Sequence, residues 1–256
     1  MSATTEIRPV TVSPQDVEAR IGQVEARIGQ YDWPALHQDL DMQGCAVPKN
    51  LLTPAECTEI AELYAEQALF RSRIVMARHG FGKGEYQYFS YPLPELIAGL
   101  RTFLYPRLAL LANAWNERMR VDRRYPAEHA AFLAECHEQG QTRPTPLLLQ
   151  YVQGDFNCLH QDLYGDLAFP IQGAILLSEP ERDFTGGEFV LTEQRPRMQS
   201  RAEVVPLRQG DAVAFAVHNR PVTGTKGNYR VNLRHGVSRV RSGHRHTLGI
   251  IFHDAQ

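Results

Sequence analysis

A chain of 256 residues and 29.0 kDa, 43% hydrophobic and 22% charged, holds enough apolar material for one sizeable core and is not wholesale disordered. No apolar run approaches the roughly 18 residues of a membrane span, and the opening MSATTEIRPV lacks the basic-then-apolar order of a secretory signal. Net charge is −2, yet residues 201–256 carry nine Lys/Arg against three Asp/Glu, a local excess of +6. Two readings of that excess stay open: contact with an anionic substrate or nucleic acid, or arginines that alternate along strands and face solvent. Cys45, Cys57, Cys136 and Cys158 form no CxxC pair. They fit a reducing cytoplasm and argue against a disulfide framework or a cysteine-only zinc site.

Residues 1–12 read as a polar, poorly ordered lead-in. Residues 13–143 are expected to form an N-terminal helical region. Ser13-Pro14-Gln15-Asp16 starts a helix, and VEARIGQ then occurs twice, at 17–23 and 24–30. Val17, Ile21, Val24 and Ile28 fall on one helical face, so the repeat continues an apolar stripe. Two copies are too few for a solenoid, and the helix is expected to pack on the main domain without a catalytic role. Thr53-Pro54-Ala55-Glu56 is a capping box that opens a second helix running to about Leu69. In residues 70–91, Arg71, Arg73, Arg78, His79 and Lys83 alternate with Phe70, Phe81, Tyr86, Tyr88, Phe89 and Tyr91 around three glycines. The glycine spacing matches no phosphate loop, and the segment reads as a mobile hairpin or lid. A third helix spans about Pro94–Met119. From 144 to 256 the pattern turns to short β runs: Leu147–Val152, Gly173–Leu177, Gly187–Leu191, Ala212–Val217 and Thr247–Phe252. Such spacing predicts a β-barrel or sandwich.

The chemistry concentrates in Tyr151-x-x-Gly154-x-x-x-x-Leu159-His160-Gln161-Asp162. In an extended segment His160 and Asp162 project to one side and can share an ion. His235, about seventy residues on and placed just before the last strand, is the candidate third ligand. Two imidazoles and one carboxylate on one face of a metal leave three positions open, an arrangement suited to Fe(II) with a chelating cosubstrate and O2. Arg245 and Thr247 share a face of the last β run. A guanidinium beside a hydroxyl inside a barrel is a carboxylate receptor. His37-Gln38-Asp39 repeats the His160-Gln161-Asp162 text without the preceding β run and reads as a solvated stretch between helices. Cys158 lies on the side of His160 and Asp162; it reads as a small barrel-interior residue or as a thiolate ligand that would favour zinc or copper. Arg234, Arg239 and Arg241 either meet an anionic substrate at the barrel mouth or solvate the rim.

These pieces resemble the Fe(II)/2-oxoglutarate-dependent dioxygenases, over roughly residues 145–254. The stretch Tyr151–Asp162 looks like the AlkB branch, which removes alkyl groups from nucleic-acid bases. It also suggests a bacterial group classed beside AlkB-like nucleic-acid oxygenases. His235-Gly-Val237-x-x-Val240-x-x-Gly243-x-Arg245-x-Thr247, together with Gly186-Gly187-Glu188-Phe189, resembles the prolyl-hydroxylase-like branch. The resemblance implies a double-stranded β-helix, a distorted jelly roll (α+β, mainly β), behind supporting N-terminal helices. It implies Fe(II) on His160, Asp162 and His235, with 2-oxoglutarate and O2 as cosubstrates. Arg245 and Thr247 would bind the far carboxylate of 2-oxoglutarate, and Tyr151 would hydrogen-bond the same molecule. The chain departs from the AlkB pattern at Leu149, where that branch has asparagine, and at Ile251, where it has a second arginine. Oxidative hydroxylation or demethylation of an alkylated nucleobase is the first functional expectation. Hydroxylation of a prolyl or other amino-acid side chain, or of a small metabolite, is the second; a non-catalytic or zinc-holding barrel is the third.

Overall fold

The structure is a computed structural model that describes residues 14–225 and 227–256. The expected lead-in 1–12 lies outside the described residues. In chain order the elements are α1 (Pro14–Gly29), α2 (Trp33–Gln43), β1 (Cys45–Ala46), α3 (Pro54–Glu62), β2 (Phe70–Val75), β3 (Gly82–Lys83), β4 (Glu85–Phe89), α4 (Glu95–Arg118) and α5 (His129–Glu138). Then follow β5 (Leu147–Val152), β6 (Phe156–His160), β7 (Ile171–Leu176), β8 (Phe184–Gly186), β9 (Phe189–Gln194) and β10 (Arg201–Val205). The last four strands are β11 (Ala212–Ala216), β12 (Asn219–Gly224), β13 (Gly227–Val237) and β14 (Val240–Ile250).

Two antiparallel sheets face each other as a double-stranded β-helix. The larger has the order β1-β11-β7-β14-β5-β4-β2, with β8 on β14; the smaller has the order β10-β9-β13-β6-β3, with β12 on β13. Alternation along β14 makes the division of labour plain. Arg245, Thr247 and Gly249 line the cavity between the sheets, whereas Leu248 and Ile250 join the buried core that the helices cover.

The helices form as the side-chain pattern dictates and then lean on the large sheet. Val24 and Ile28 of the repeat are buried, and Gly99 of α4 leaves room for Ile21. Arg20 and Arg27 hold the same place in the two copies of the repeat. They form paired hydrogen bonds to Glu59 and Glu56 of α3, so the duplication also supplies two evenly spaced anchors. The Thr53–Glu56 capping box is present, but α3 ends at Glu62 and continues only as two short 3₁₀ turns. Arg101 of α4 is buried and ties down the chain end through Ile251 O (2.8 Å), His253 O (2.9 Å) and Asp254 (2.7 Å).

The sheets do not respect a boundary at residue 144. β1 pairs with β11 and β4 with β5, so early segments extend the large sheet. Open strand edges recruit whatever extended chain reaches them, and that pairing is invisible locally. For the same reason residues 70–91 are not a free lid. β2 and β4 are strands of the large sheet, and β3 pairs with β6. Gly82 makes that last contact possible: its φ is +127°, and a Cβ there would stand 2.3 Å from the Phe156 carbonyl oxygen.

Two buried histidines near the chain end predict acid sensitivity. Burial lowers His129 and His253 to about 4 each, with the Arg101 charge adding to the effect. The unfolded chain takes up these protons near pH 6.5, and the folded chain does so only near pH 4. Stability should therefore fall as pH drops through that window, by up to about 3 kcal/mol per histidine. Urea midpoints measured from pH 7 to pH 4 check this, and replacing His129 with Asn should flatten the slope.

Candidate active site

The cavity between the sheets measures about 210 Å³ and is lined by residues of both. His160 ends β6 and stands directly across the ladder from His235 of β13. His235 is thus within the penultimate strand, as a cross-strand partner, and not in a connection before the last one. The two rings lie 4.2 Å apart, centre to centre. Asp162 is already past the end of β6, so strand alternation does not aim it. It converges all the same: Oδ1 is 3.4 Å from His160 Nε2, and Oδ2 is 3.4 Å from His235 Nε2. One donor atom from each of the three residues falls within 4.8 Å of the others. Among the described residues this is the group of three or more His, Cys, Asp or Glu side chains that could hold a metal ion.

Surrounding groups orient the three. His160 Nδ1 donates to Cys158 O at 2.8 Å, which leaves Nε2 turned to the cluster. The Tyr164 hydroxyl donates to Asp162 Oδ1 at 2.8 Å and receives Tyr88 at 3.2 Å. Burial works against the Asp162 charge, but hydrogen bonds from both histidines outweigh it and hold the carboxyl far below its usual range. His235 is 7% exposed, and burial lowers it, which favours the neutral ring that a metal ligand requires. Phe215 of β11 packs on that ring at 4.5 Å.

Arg245 is 2% exposed and makes no ion pair among the described residues. Its Nη1 donates to Thr247 Oγ1 at 2.5 Å, and its Nε has no partner. Tyr151 and Phe184 flank it, with ring centres 5.5 and 5.8 Å from the guanidinium carbon. Desolvation lowers its pKa to about 10, partly offset by Tyr151 and Glu188. Tyr151 is fully buried opposite Arg245 in the β5–β14 ladder, and burial pushes its phenol up to about 12. Gly187, with φ +66°, clears the space: a Cβ there would stand 2.9 Å from Arg245 Cδ. A buried guanidinium short of a counter-anion is costly, and a ligand carboxylate would relieve it.

The six residues expected to hold Fe(II) or 2-oxoglutarate all line this one cavity: Tyr151, His160, Asp162, His235, Arg245 and Thr247. Other expectations need correction. Cys158 is exposed and is neither interior nor near enough to join the cluster: the pairing of β6 with β13 shifts register between His160 and Asn157, so Asn157 and not Cys158 faces the cavity beside His160. His37 and Asp39 belong to α2, with His37 bonded to Arg107 O, and not to a stretch between helices. The +6 of residues 201–256 is no single face. Arg220 is buried against Glu193 and Arg245 is in the cavity, while Arg234, Arg239 and Arg241 remain exposed. Tyr164, Gln172 and Phe215 were not legible as site residues. Gln172 left one trace, as a lone amide in the apolar run Phe169–Ile175.

A family model described as "Oxygenase, catalysing oxidative methylation of damaged DNA" matches residues 84–255. The chain belongs to this Oxygenase-NA family. The match takes in all six residues above and begins at β4, well upstream of the segment whose text resembles known dioxygenases. Curated relatives of this Oxygenase-NA protein include uncharacterized proteins from two strains of Mycobacterium tuberculosis. They are 47% identical over 167 residues, which is 65% of this chain and 72% of theirs. An oxidoreductase of the 2OG-Fe(II) oxygenase family from Burkholderia pseudomallei superposes with a TM-score of 0.51 at 14% identity, over 88% of this chain and 93% of that one. A prolyl hydroxylase from Trichoplax adhaerens, solved with a hypoxia inducible factor peptide fragment, gives 0.52 at 12% identity, over 94% and 93%. At these identities the likeness is one of fold. Family and fold together make the Oxygenase-NA protein an oxygenase built on the fold of the 2OG-Fe(II) oxygenases, with a His-Asp-His group that could hold a metal ion. No helix among the described residues is long and apolar enough to cross a membrane.

Proposed function

We propose that His160, Asp162 and His235 hold Fe(II), that Arg245, Thr247 and Tyr151 hold the far carboxylate of 2-oxoglutarate, and that the substrate is an alkylated nucleobase. One observation carries the assignment: a His-Asp-His cluster shares a cavity with a buried arginine that lacks an anion. The donor set fits the metal, since two imidazoles, neutral once they ligate an ion, and one carboxylate suit a ferrous ion with positions left open. With Fe(II), 2-oxoglutarate and O2 bound, the centre oxidises a substrate C–H to C–OH while the 2-oxo acid becomes succinate and CO2.

The chain's own residues supply geometry. The Cys158 carbonyl and the Tyr164 hydroxyl set the orientation of His160 and Asp162. Arg245 fixes one end of the cosubstrate, and the apolar walls from Leu149, Phe189 and Val237 keep water away. No side chain needs to act as a general base.

For the substrate, the family description is one support. The tip of the β2–β4 hairpin is the other. Phe81 lines the cavity mouth and is 47% exposed, with His79 stacked on it at 5.3 Å. Exposed Arg78 and Lys83 flank the pair and make no ion pair among the described residues. A planar aromatic pair beside cations suits a base and its phosphates. The four free cysteines fit a cytoplasmic setting.

The test is formaldehyde release. A hydroxymethyl group on nitrogen fragments to formaldehyde, so a methylated oligonucleotide should yield formaldehyde and succinate in equal amounts. Its affinity should also weaken steeply as salt rises. Succinate release with a prolyl peptide and none with the oligonucleotide would overturn the substrate assignment.

A further inference from the structure

Gln172 lines the same cavity from β7 and is 3% exposed. Its Nε2 has no hydrogen-bond partner among the described residues. The neighbouring residues Phe169-Pro170-Ile171 and Gly173-Ala174-Ile175 are apolar, so an aliphatic side chain would be the ordinary occupant of this wall. A buried N–H without an acceptor is costly unless a ligand provides one.

Register places the amide within the cavity. The Arg245 guanidinium reaches Thr247, which stands opposite Leu176. Gln172 is four residues from Leu176, about 13 Å of strand away at the usual rise. It stands opposite Phe215, whose ring packs on His235 at 4.5 Å. Arg245 therefore serves one end of the cavity, and Gln172 belongs to the end that holds the metal cluster.

We infer that the Gln172 amide donates a hydrogen bond to the metal-side carboxylate of the 2-oxo acid, the one next to its keto group. This rests on the proposed function. A carboxylate that gives one oxygen to a metal keeps the second as an acceptor, and an amide N–H meets it without adding charge. The cosubstrate is the fitting partner because Gln172 is buried in the large-sheet wall, whereas the substrate enters past exposed Phe81.

The experiment is anaerobic titration calorimetry on the full chain loaded with Fe(II), using 2-oxoglutarate and pyruvate, a 2-oxo acid without the far carboxylate. Gln172→Leu should weaken both ligands about tenfold. Gln172→Glu, which sets a like charge beside the carboxylate, should weaken both further. Arg245→Gln should weaken 2-oxoglutarate and leave pyruvate unchanged. Gln172→Met, with similar length and no donor, gives the same comparison if the leucine variant fails to fold. Wild-type affinity of Gln172→Leu for both ligands, or a loss confined to 2-oxoglutarate, overturns the inference alone. A wild-type protein that binds neither ligand overturns the reading beneath it as well.

Discussion

Asp162→Ala should end succinate production from 2-oxoglutarate while leaving the fold intact. Asp162 is the one anionic member of the cluster, and both imidazoles point at it from 3.4 Å. Without it, two neutral nitrogens remain for a dication. The loss in metal affinity should exceed the roughly 10–100-fold cost of removing an outer partner of a metal ligand. Tyr164→Phe provides that milder reference, because it deletes only the hydroxyl that donates to Asp162 Oδ1. The internal control is Asp39→Ala. Asp39 belongs to the second His-Gln-Asp sequence, on α2, where it is exposed, and its loss should leave turnover unchanged. Succinate release and Fe(II) binding, measured side by side with melting temperature, check all three. Full turnover in Asp162→Ala would remove the metal assignment.

The second large effect belongs to Arg245→Ala, which should raise the 2-oxoglutarate requirement about 100-fold. That corresponds to roughly 3 kcal/mol for one desolvated charge pair. Arg245 is buried, its own strand supplies only the Thr247 hydroxyl, and the described residues offer it no carboxylate. The lost interaction would therefore be with the cosubstrate and not with the fold. Succinate release at saturating 2-oxoglutarate should be largely kept, because the metal cluster is untouched. Arg245→Lys should recover part of the affinity, since it keeps the charge and loses the fork. An unchanged requirement in Arg245→Ala would move the carboxylate grip to another residue.

Three of the cavity residues were legible because each lies in short text with a local rule behind it. Tyr151, Arg245 and Thr247 sit on β5 and β14, where alternation decides which way a side chain faces. The capping box at Thr53 and the apolar stripe of the repeat were legible for the same reason. Positions governed by long-range pairing were not. β1, β3 and β4 are short and pair with strands far along the chain, and β2 joins the sheet only through β4, so nothing in residues 45–89 announces a place in the barrel sheets. The helix expected to reach Leu69 stops at Glu62, and the chain then turns into β2. Cys158 was misplaced because β6 shifts register against β13 between Asn157 and His160, which breaks the two-residue alternation that the sequence suggests.

Sequence alone determined the donor types, the order of the six cavity residues along the chain and the amphipathic helices, since these follow from side-chain chemistry and from the 3.6- and 2-residue periods. Only the tertiary structure decided that His160 and His235 are cross-strand partners, that Asp162 reaches them from beyond its strand, and that the hairpin tip is pinned over the mouth. It also decided that Tyr164 and Gln172 join the site. Contacts between residues tens of positions apart depend on strand register and sheet closure, and no local pattern encodes those.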